Sequence, residues 1–225
     1  FRNKKIIFYV SLFFIIGTFN NKNLNNFEIS KINQIEISGL SKEKNFEISQ
    51  SLESYKIDNL FFLSKFHITD LLYSYNYIED FFVFKNYPST LNIKLKETKY
   101  LALVKKGNEK FYFGSNGKLI KAFPIKKDLP YVFGSFKKME LLKLKEVIDK
   151  SNFKYEQIKN LYYFPSGRWD IETKSGKLLK LPRDRLDQSF KIFINLLKDK
   201  NFKNAKVIDL RQYGQVIIND WKYNL

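Results

Sequence analysis

The sequence contains no cysteine and only one histidine among its 225 residues. Without cysteine, disulfide bonds and thiolate chemistry are excluded. A zinc site would have to be built from carboxylates around His67, although zinc in proteins prefers nitrogen and sulfur ligands. We therefore expect no metal site and no bound cofactor.

Catalytic signatures are also lacking. The chain has neither a Gly-x-Ser-x-Gly nucleophile turn nor a glycine-rich phosphate loop. Carboxylate pairs such as Glu79–Asp80 and Asp184–Asp187 fall at the predicted ends of helices and strands, where caps and turns account for them. We predict no catalytic residue and interpret the protein as non-enzymatic.

Positive charge is the strongest bias in the composition. Lysine and arginine number 40 against 23 acidic residues, which gives a formal net charge of +17. One interpretation is a polyanionic partner, such as nucleic acid, anionic lipid or cell-wall polymer. The other is a coding bias, because lysine, asparagine, isoleucine, phenylalanine and tyrosine are abundant together and the lysines are spread along the whole chain. The even spread favours the coding bias.

One uncharged apolar run stands near the start of the sequence. Residues 6–19 follow Arg2, Lys4 and Lys5, and as a helix they would rise about 21 Å, against a hydrocarbon core of about 30 Å. An uncleaved anchor, a cleaved signal peptide and a buried core helix are the alternatives. No small-x-small cleavage site follows, and the first residue is not methionine, which suggests that N-terminal residues are missing. We therefore expect a transmembrane helix within residues 1–20, its basic flank in the cytoplasm, and a linker over residues 21–29.

The pattern of residues 30–97 predicts a small α+β domain. Apolar residues alternate over 32–37 until Gly39, recur at helical spacing after Ser41 and again after Lys65, and alternate once more over 90–97. With a phenylalanine-rich strand over 78–85, the order is β-α-α-β-β, so that two helices cover one face of three strands.

Residues 98–225 predict a mostly antiparallel β-domain with two helices. Short strands are joined by the turn sequences Lys106-Gly107-Asn108 and Ser115-Asn116-Gly117. Helical periodicity appears over 139–148 and 185–200, and the last strands are expected over 205–210 and 215–221.

Ordered motifs in both halves resemble the FtsQ/DivIB cell-division family, which carries a membrane anchor, a POTRA domain and a β-domain. The motifs are I-x-x-I-x-I-x-G at 32–39, Y-P-x-T-L-x-I-x-L-x-E at 87–97, RWDI at 168–171, LP at 181–182 and IDLR at 208–211. The resemblance implies a single-pass protein of the inner membrane, with most of the chain in the periplasm, located at the division septum.

The last predicted strand is the candidate binding site. Residues 215–219 contain no charge of the kind that normally protects an edge strand, so this strand invites strand addition by another chain. The alternative is that it pairs on both sides within its own sheet. The resemblance implies that this segment docks FtsB, which also joins FtsL. The predicted partner-binding residues are Tyr213, Gly214, Gln215, Val216, Ile217, Ile218, Asn219 and Trp221.

The expected function is therefore assembly of the divisome, with FtsB and FtsL bridged at the C-terminal edge and other division proteins contacted by the POTRA domain. Two alternatives remain. One is an envelope module that binds anionic polymer or lipid through its lysines, and the other is a transport-associated POTRA protein, which usually carries several POTRA repeats.

Overall fold

The structure is a computed structural model that describes residues 2–18, 31–122, 128–202 and 204–219. The chain divides into two compact units. The first comprises Phe1–Leu72 with Phe81–Leu95, and the second comprises Tyr73–Asp80 with Lys96–Leu225.

The N-terminal helix α1 spans Arg2–Thr18, and its apolar side chains from Ile6 to Ile16 are exposed. Its 17 residues rise about 26 Å, which is less than the hydrocarbon core of a bilayer. Within the part of the chain that the structure describes, no helix combines the length and the apolar character needed to cross a membrane. The transmembrane helix expected over residues 1–20 is therefore not confirmed, and the linker expected at 21–29 lies outside the described residues.

The first unit has the predicted order β-α-α-β-β. Its elements are β1 Gln34–Ser38, α2 Lys42–Leu52, α3 Lys65–Ser74, β2 Ile78–Asn86 and β3 Thr90–Glu97. The strand order is β1-β3-β2, and β1 runs parallel to β3 with Ile35 opposite Leu91. Buried residues of both helices, including Ile48 and Ile68, supply the core together with Leu91 and Ile93 of β3. The predicted α+β fold is confirmed in this unit.

Local chemistry explains where β1 ends and α2 begins. Gly39 has a φ of 109°, and a Cβ added there would meet the Leu95 carbonyl oxygen at 1.8 Å, so only glycine fits. Ser41 caps the helix, because its hydroxyl accepts a hydrogen bond from the Lys44 amide at 3.4 Å. The helix ends at Leu52, and a 3₁₀ turn continues over Glu53–Ile57.

The apolar segment at residues 60–63 is divided between the core and the surface. Leu60 and Leu63 are buried, but Phe61 and Phe62 are exposed. Asn59 causes this arrangement, since its side-chain oxygen accepts the Phe61 amide at 2.8 Å and its carbonyl accepts the Leu63 amide at 2.9 Å. The resulting tight turn directs two of the four side chains outward.

The second unit is a β-rich domain with the two predicted helices, α4 Lys138–Asp149 and α5 Leu186–Lys198. Among the described residues its strands are β4 Tyr100–Lys106, β5 Glu109–Gly114, β6 Leu119–Lys121, β7 Tyr131–Phe133, β8 Ile158–Tyr163, β9 Trp169–Thr173, β10 Leu178–Lys180, β11 Val207–Asp209 and β12 Ile217–Asn219. These nine strands lie in the order β12-β11-β10-β9-β8-β7-β4-β5-β6, parallel at β4–β7, β7–β8 and β10–β11 and antiparallel elsewhere.

The core of the second unit lies between its sheet and its helices. Trp169 and Ile171 of β9 are buried against the same cluster as Phe190 and Phe193 of α5. The Phe190 and Phe193 rings meet edge to face with centroids 5.6 Å apart. This packing holds the C-terminal strands in place, because Ile208 and Leu210 belong to the same buried cluster.

A polar cluster joins the start of β2 to the β4–β6 strands inside the second unit. The hydroxyls of Thr98 and Ser115 donate hydrogen bonds to the same Glu79 carboxylate oxygen, at 2.7 and 2.6 Å. The Asn116 side chain donates to the Asn76 and Ile78 carbonyls. Glu79, which the sequence analysis assigned to a strand end, is therefore held by structural hydrogen bonds.

Candidate protein-docking edge

Strand β12 closes one end of the nine-stranded sheet. It pairs antiparallel with β11, with Ile208 opposite Ile218 and Asp209 opposite Ile217, and β11 in turn runs parallel to β10. Among the described residues, no strand pairs with the other side of β12. Main-chain groups on that side are available to an added strand, because alternate residues of an antiparallel strand point their N–H and C=O away from their partner.

The side chains of β12 alternate between the core and solvent. Ile218 is half-buried and packs on the main core cluster. Ile217 is 48% exposed, and the preceding Val216 is exposed as well. The inward residue fixes the register of the strand, and the outward residues offer an apolar surface without charge.

The turn before β12 is fixed by an aspartate-arginine pair. Asp209 accepts the Arg211 amide at 3.1 Å and the Arg211 Nε at 2.8 Å. Partial burial of Asp209 raises its pKa, but the hydrogen bonds from Arg211 outweigh that effect and hold the pKa below its ordinary value. Asp209 is therefore ionised at neutral pH, and the pair holds the chain where it leaves β11.

Gly214 and Tyr213 form the tip of this turn. Gly214 has a φ of 71°, which the turn requires. The Tyr213 ring is exposed on one face, and the Arg185 guanidinium lies over its other face at 4.2 Å from the centroid. The backbone of Arg185, the residue before α5, is in the left-handed conformation with a φ of 61°. This conformation directs the Arg185 side chain toward the tip of the turn.

A groove of about 260 Å³ runs beside the edge. Its walls come from α5 and from the segment before β12, with Arg185, Ile192, Tyr213 and Val216 among the lining residues. Arg185 and Ile192 were not among the residues predicted from the sequence to form the site. The helical spacing of Leu186, Phe190 and Phe193 is a signal for Ile192, since it leaves Ile192 off the buried face.

The predicted binding residues Tyr213–Asn219 form one continuous segment of turn, extended chain and edge strand, while Trp221 lies outside the described residues. Two exposed aliphatic side chains and an aromatic-lined groove are suited to binding a polypeptide.

His67 is exposed on α3. Across residues 2–18, 31–122, 128–202 and 204–219, no group of three or more histidine, aspartate or glutamate side chains is placed to hold a metal ion.

Comparison with known proteins gives consistent matches along the chain. Residues 102–211 match the family model "Cell division protein FtsQ/DivIB, C-terminal", and residues 30–98 match "POTRA domain, FtsQ-type". Cell division protein FtsQ of Rickettsia bellii is 26% identical over 85% of this chain and 73% of its own length. Cell division protein FtsQ of Rickettsia prowazekii is 24% identical over the same shares. The solved extracytoplasmic domain of DivIB from Geobacillus stearothermophilus is 15% identical over 49% of this chain and 99% of its own, with a TM-score of 0.35, which is too low to support an argument.

Proposed function

Because the chain belongs to the FtsQ/DivIB family of cell division proteins, we propose that it is a non-enzymatic assembly protein that docks a partner on the outer edge of β12. The observation that carries the proposal is the position of β12 at the end of the sheet, with uncharged residues and an exposed Ile217 on its surface. The partner that we propose is FtsB, which brings FtsL with it.

Strand addition explains how such a site works without a special set of side chains. A partner strand beside β12 gains main-chain hydrogen bonds from the ladder, while Val216 and Ile217 supply apolar contact. The Arg185–Tyr213 pair borders the groove and gives the partner a second point of contact. Affinity then depends on backbone geometry more than on particular side chains.

We further propose that α1 anchors the protein in the inner membrane, with the two folded units in the periplasm and the complex at the septum. The exposed apolar residues of α1 and the basic residues before them support this location. A membrane tether raises the local concentration of a partner that is held in the same membrane, so modest contacts at the edge suffice for assembly. Other division proteins would be contacted by the POTRA domain.

Site-specific photo-crosslinking tests the docking edge. A photo-reactive phenylalanine analogue at Ile217 should crosslink FtsB in cells, because Ile217 points outward from the edge strand. The same analogue at Met139, which is exposed on α4, serves as the control and should give no FtsB adduct. Equal crosslinking at the two positions, or an adduct at Met139 alone, would contradict the proposed edge.

The alternative function, binding of an anionic polymer by the lysines, predicts a different response to salt. Polyanion binding weakens steeply as salt rises, because counterions are released, whereas strand addition responds weakly. Affinity for FtsB that changes little between low and high salt supports docking at the edge.

A further inference from the structure

The turn at residues 59–63 carries exposed aromatic rings and is hydrogen-bonded to β2. The Phe61 and Tyr87 rings stack with centroids 4.6 Å apart, and Phe62 beside them is 87% exposed. Lys85 donates hydrogen bonds to the Phe61 and Leu63 carbonyls at 3.2 and 3.0 Å, which fastens the turn to β2. We refer to Phe61, Phe62 and Tyr87 as the aromatic patch. Phe66 on the first turn of α3 is also exposed.

Exposing the aromatic rings of the patch to water costs free energy, and the shape of the patch indicates whether a protein or a lipid layer covers it. Phe62 protrudes from its surroundings, so a protein partner would need a matching pocket, whereas a lipid layer deforms around the ring. Exposed lysines accompany the patch, including Lys31 and Lys65, with Asp58 as an acidic neighbour in the same segment. Aromatic rings among lysines suit the boundary between anionic headgroups and acyl chains.

The route of the chain limits how far the patch can lie from the proposed anchor. Lys31 forms an antiparallel bridge with Asn59, and the Ile32 amide donates to the Asp58 carbonyl at 3.2 Å. The turn that carries the patch therefore adjoins the point where the chain enters the folded unit. Thirteen residue steps separate Thr18 from Lys31, so covalent geometry limits their separation to about 45 Å.

We propose that the aromatic patch is a lipid-binding site at which the first unit contacts an anionic bilayer, with Phe62 inserted between the headgroups. This inference rests on the proposed anchoring of α1, which brings the unit within reach of the bilayer. Contact at the patch gives the first unit a second attachment to the membrane and fixes its orientation. Aromatic contacts of this kind reach roughly 5–10 Å into the boundary between headgroups and acyl chains.

The absence of cysteine makes a clean test possible, since a single introduced cysteine is the only labelling site. Full-length Phe62→Cys is labelled with an environment-sensitive fluorophore and reconstituted into vesicles of phosphatidylcholine and phosphatidylglycerol that contain spin-labelled lipid. Phe46→Cys is the matched control, because Phe46 is a 64% exposed phenylalanine on α2 of the same unit. Ser11→Cys reports on α1. Circular dichroism checks that each variant is folded.

We expect strong quenching at position 62 by a spin label near the headgroup, weaker quenching by one deep in the acyl chain, and little quenching at position 46. Omitting phosphatidylglycerol, or adding Lys65→Gln, should reduce the signal at position 62. Equal quenching at 62 and 46 overturns the proposal, and if position 11 is quenched in that experiment, the anchor stands and the patch alone fails. Quenching at 62 without quenching at 11 supports the patch and contradicts the anchor.

Discussion

The substitution Ile218→Pro tests the docking edge most directly. The Leu210 amide donates to the Lys180 carbonyl of β10, so the main-chain groups of Asp209, one residue earlier, face β12 and pair with Ile217. The N–H of Ile218 therefore faces the outer side of β12, where proline removes it and its ring obstructs a partner strand. We expect binding to be lost while the protein stays folded, with a lower thermal midpoint because the Ile218 side chain packs on the core.

The magnitude follows from the length of the strand. β12 contains three residues, so a partner that pairs along it and the adjoining extended chain makes two or three outward ladder bonds around Ile218. At about 1 kcal/mol per bond, their loss costs about 2–3 kcal/mol, or an affinity lower by roughly 30- to 150-fold.

Two control variants separate backbone from side-chain effects. Ile217→Thr leaves the ladder intact and keeps a β-branched side chain, so we expect its affinity to stay within about fivefold of the parent, because less than about 1 kcal/mol of apolar contact is lost. Ile218→Thr keeps the outward N–H but loses apolar contact with the core, so it should lower the thermal midpoint while binding is retained.

The assay is titration of a fluorescent FtsB segment with full-length protein in detergent micelles, with circular dichroism recorded on each variant. If Ile218→Pro binds as tightly as the parent while its circular dichroism spectrum is unchanged, strand addition at β12 is wrong. If Ile218→Thr loses as much affinity as Ile218→Pro, the side chain rather than the ladder carries the binding.

Three further predictions concern stability, measured by urea or thermal unfolding. Trp169→Ala should lower the free energy of unfolding by about 3–5 kcal/mol, because this fully buried side chain leaves a large cavity in the core of the second unit. Glu79→Gln should lower it by about 1–2 kcal/mol at pH 7. Burial raises the pKa of Glu79, but the two hydroxyl hydrogen bonds and nearby lysines outweigh burial and lower it, so the stabilisation is present above the unfolded-state pKa and disappears as the pH falls through the folded-state value. The deficit of the variant should accordingly shrink in acid, and a deficit that is constant from pH 7 to pH 3 would contradict this account. Gly39→Ala should destabilise the protein by well over 1 kcal/mol, since its Cβ collides with the backbone, whereas Gly176→Ala, with a similar positive φ but open space around it, should cost less. Equal losses for the two glycine variants would show that the collision does not matter.

Local patterns predicted much of the fold. The alternation over residues 90–97 corresponds to β3, and the turn at Gly107-Asn108 joins β4 to β5 as an antiparallel pair. These features are readable because side-chain alternation and turn chemistry depend on neighbouring residues alone. Helix ends were predicted less accurately, since the helix expected over 185–200 begins only after Arg185, whose backbone is left-handed, and ends at Lys198. The ends depend on contacts that no short window contains.

The candidate site was likewise predictable from the sequence only in part. The uncharged segment at 215–219 was readable as a strand from its residues, but only the arrangement of the other eight strands decides that β12 stands last in the sheet. The groove could not be predicted from the sequence, because it forms where α5 lies beside the turn. Arg185 and Tyr213 are distant in sequence and meet only in the folded chain.

The amino-acid sequence by itself determined which segments alternate, where glycine must turn the chain, and that no thiol chemistry is available. The tertiary structure decided which strand is left at the edge and that Phe62 faces outward while Leu60 and Leu63 face inward. The physical reason is that a residue's preference for strand or turn is set by its neighbours along the chain. Its exposure is set by whatever distant segment packs against it, and apolar residues such as Phe62 and Leu63 carry no mark that distinguishes the two outcomes.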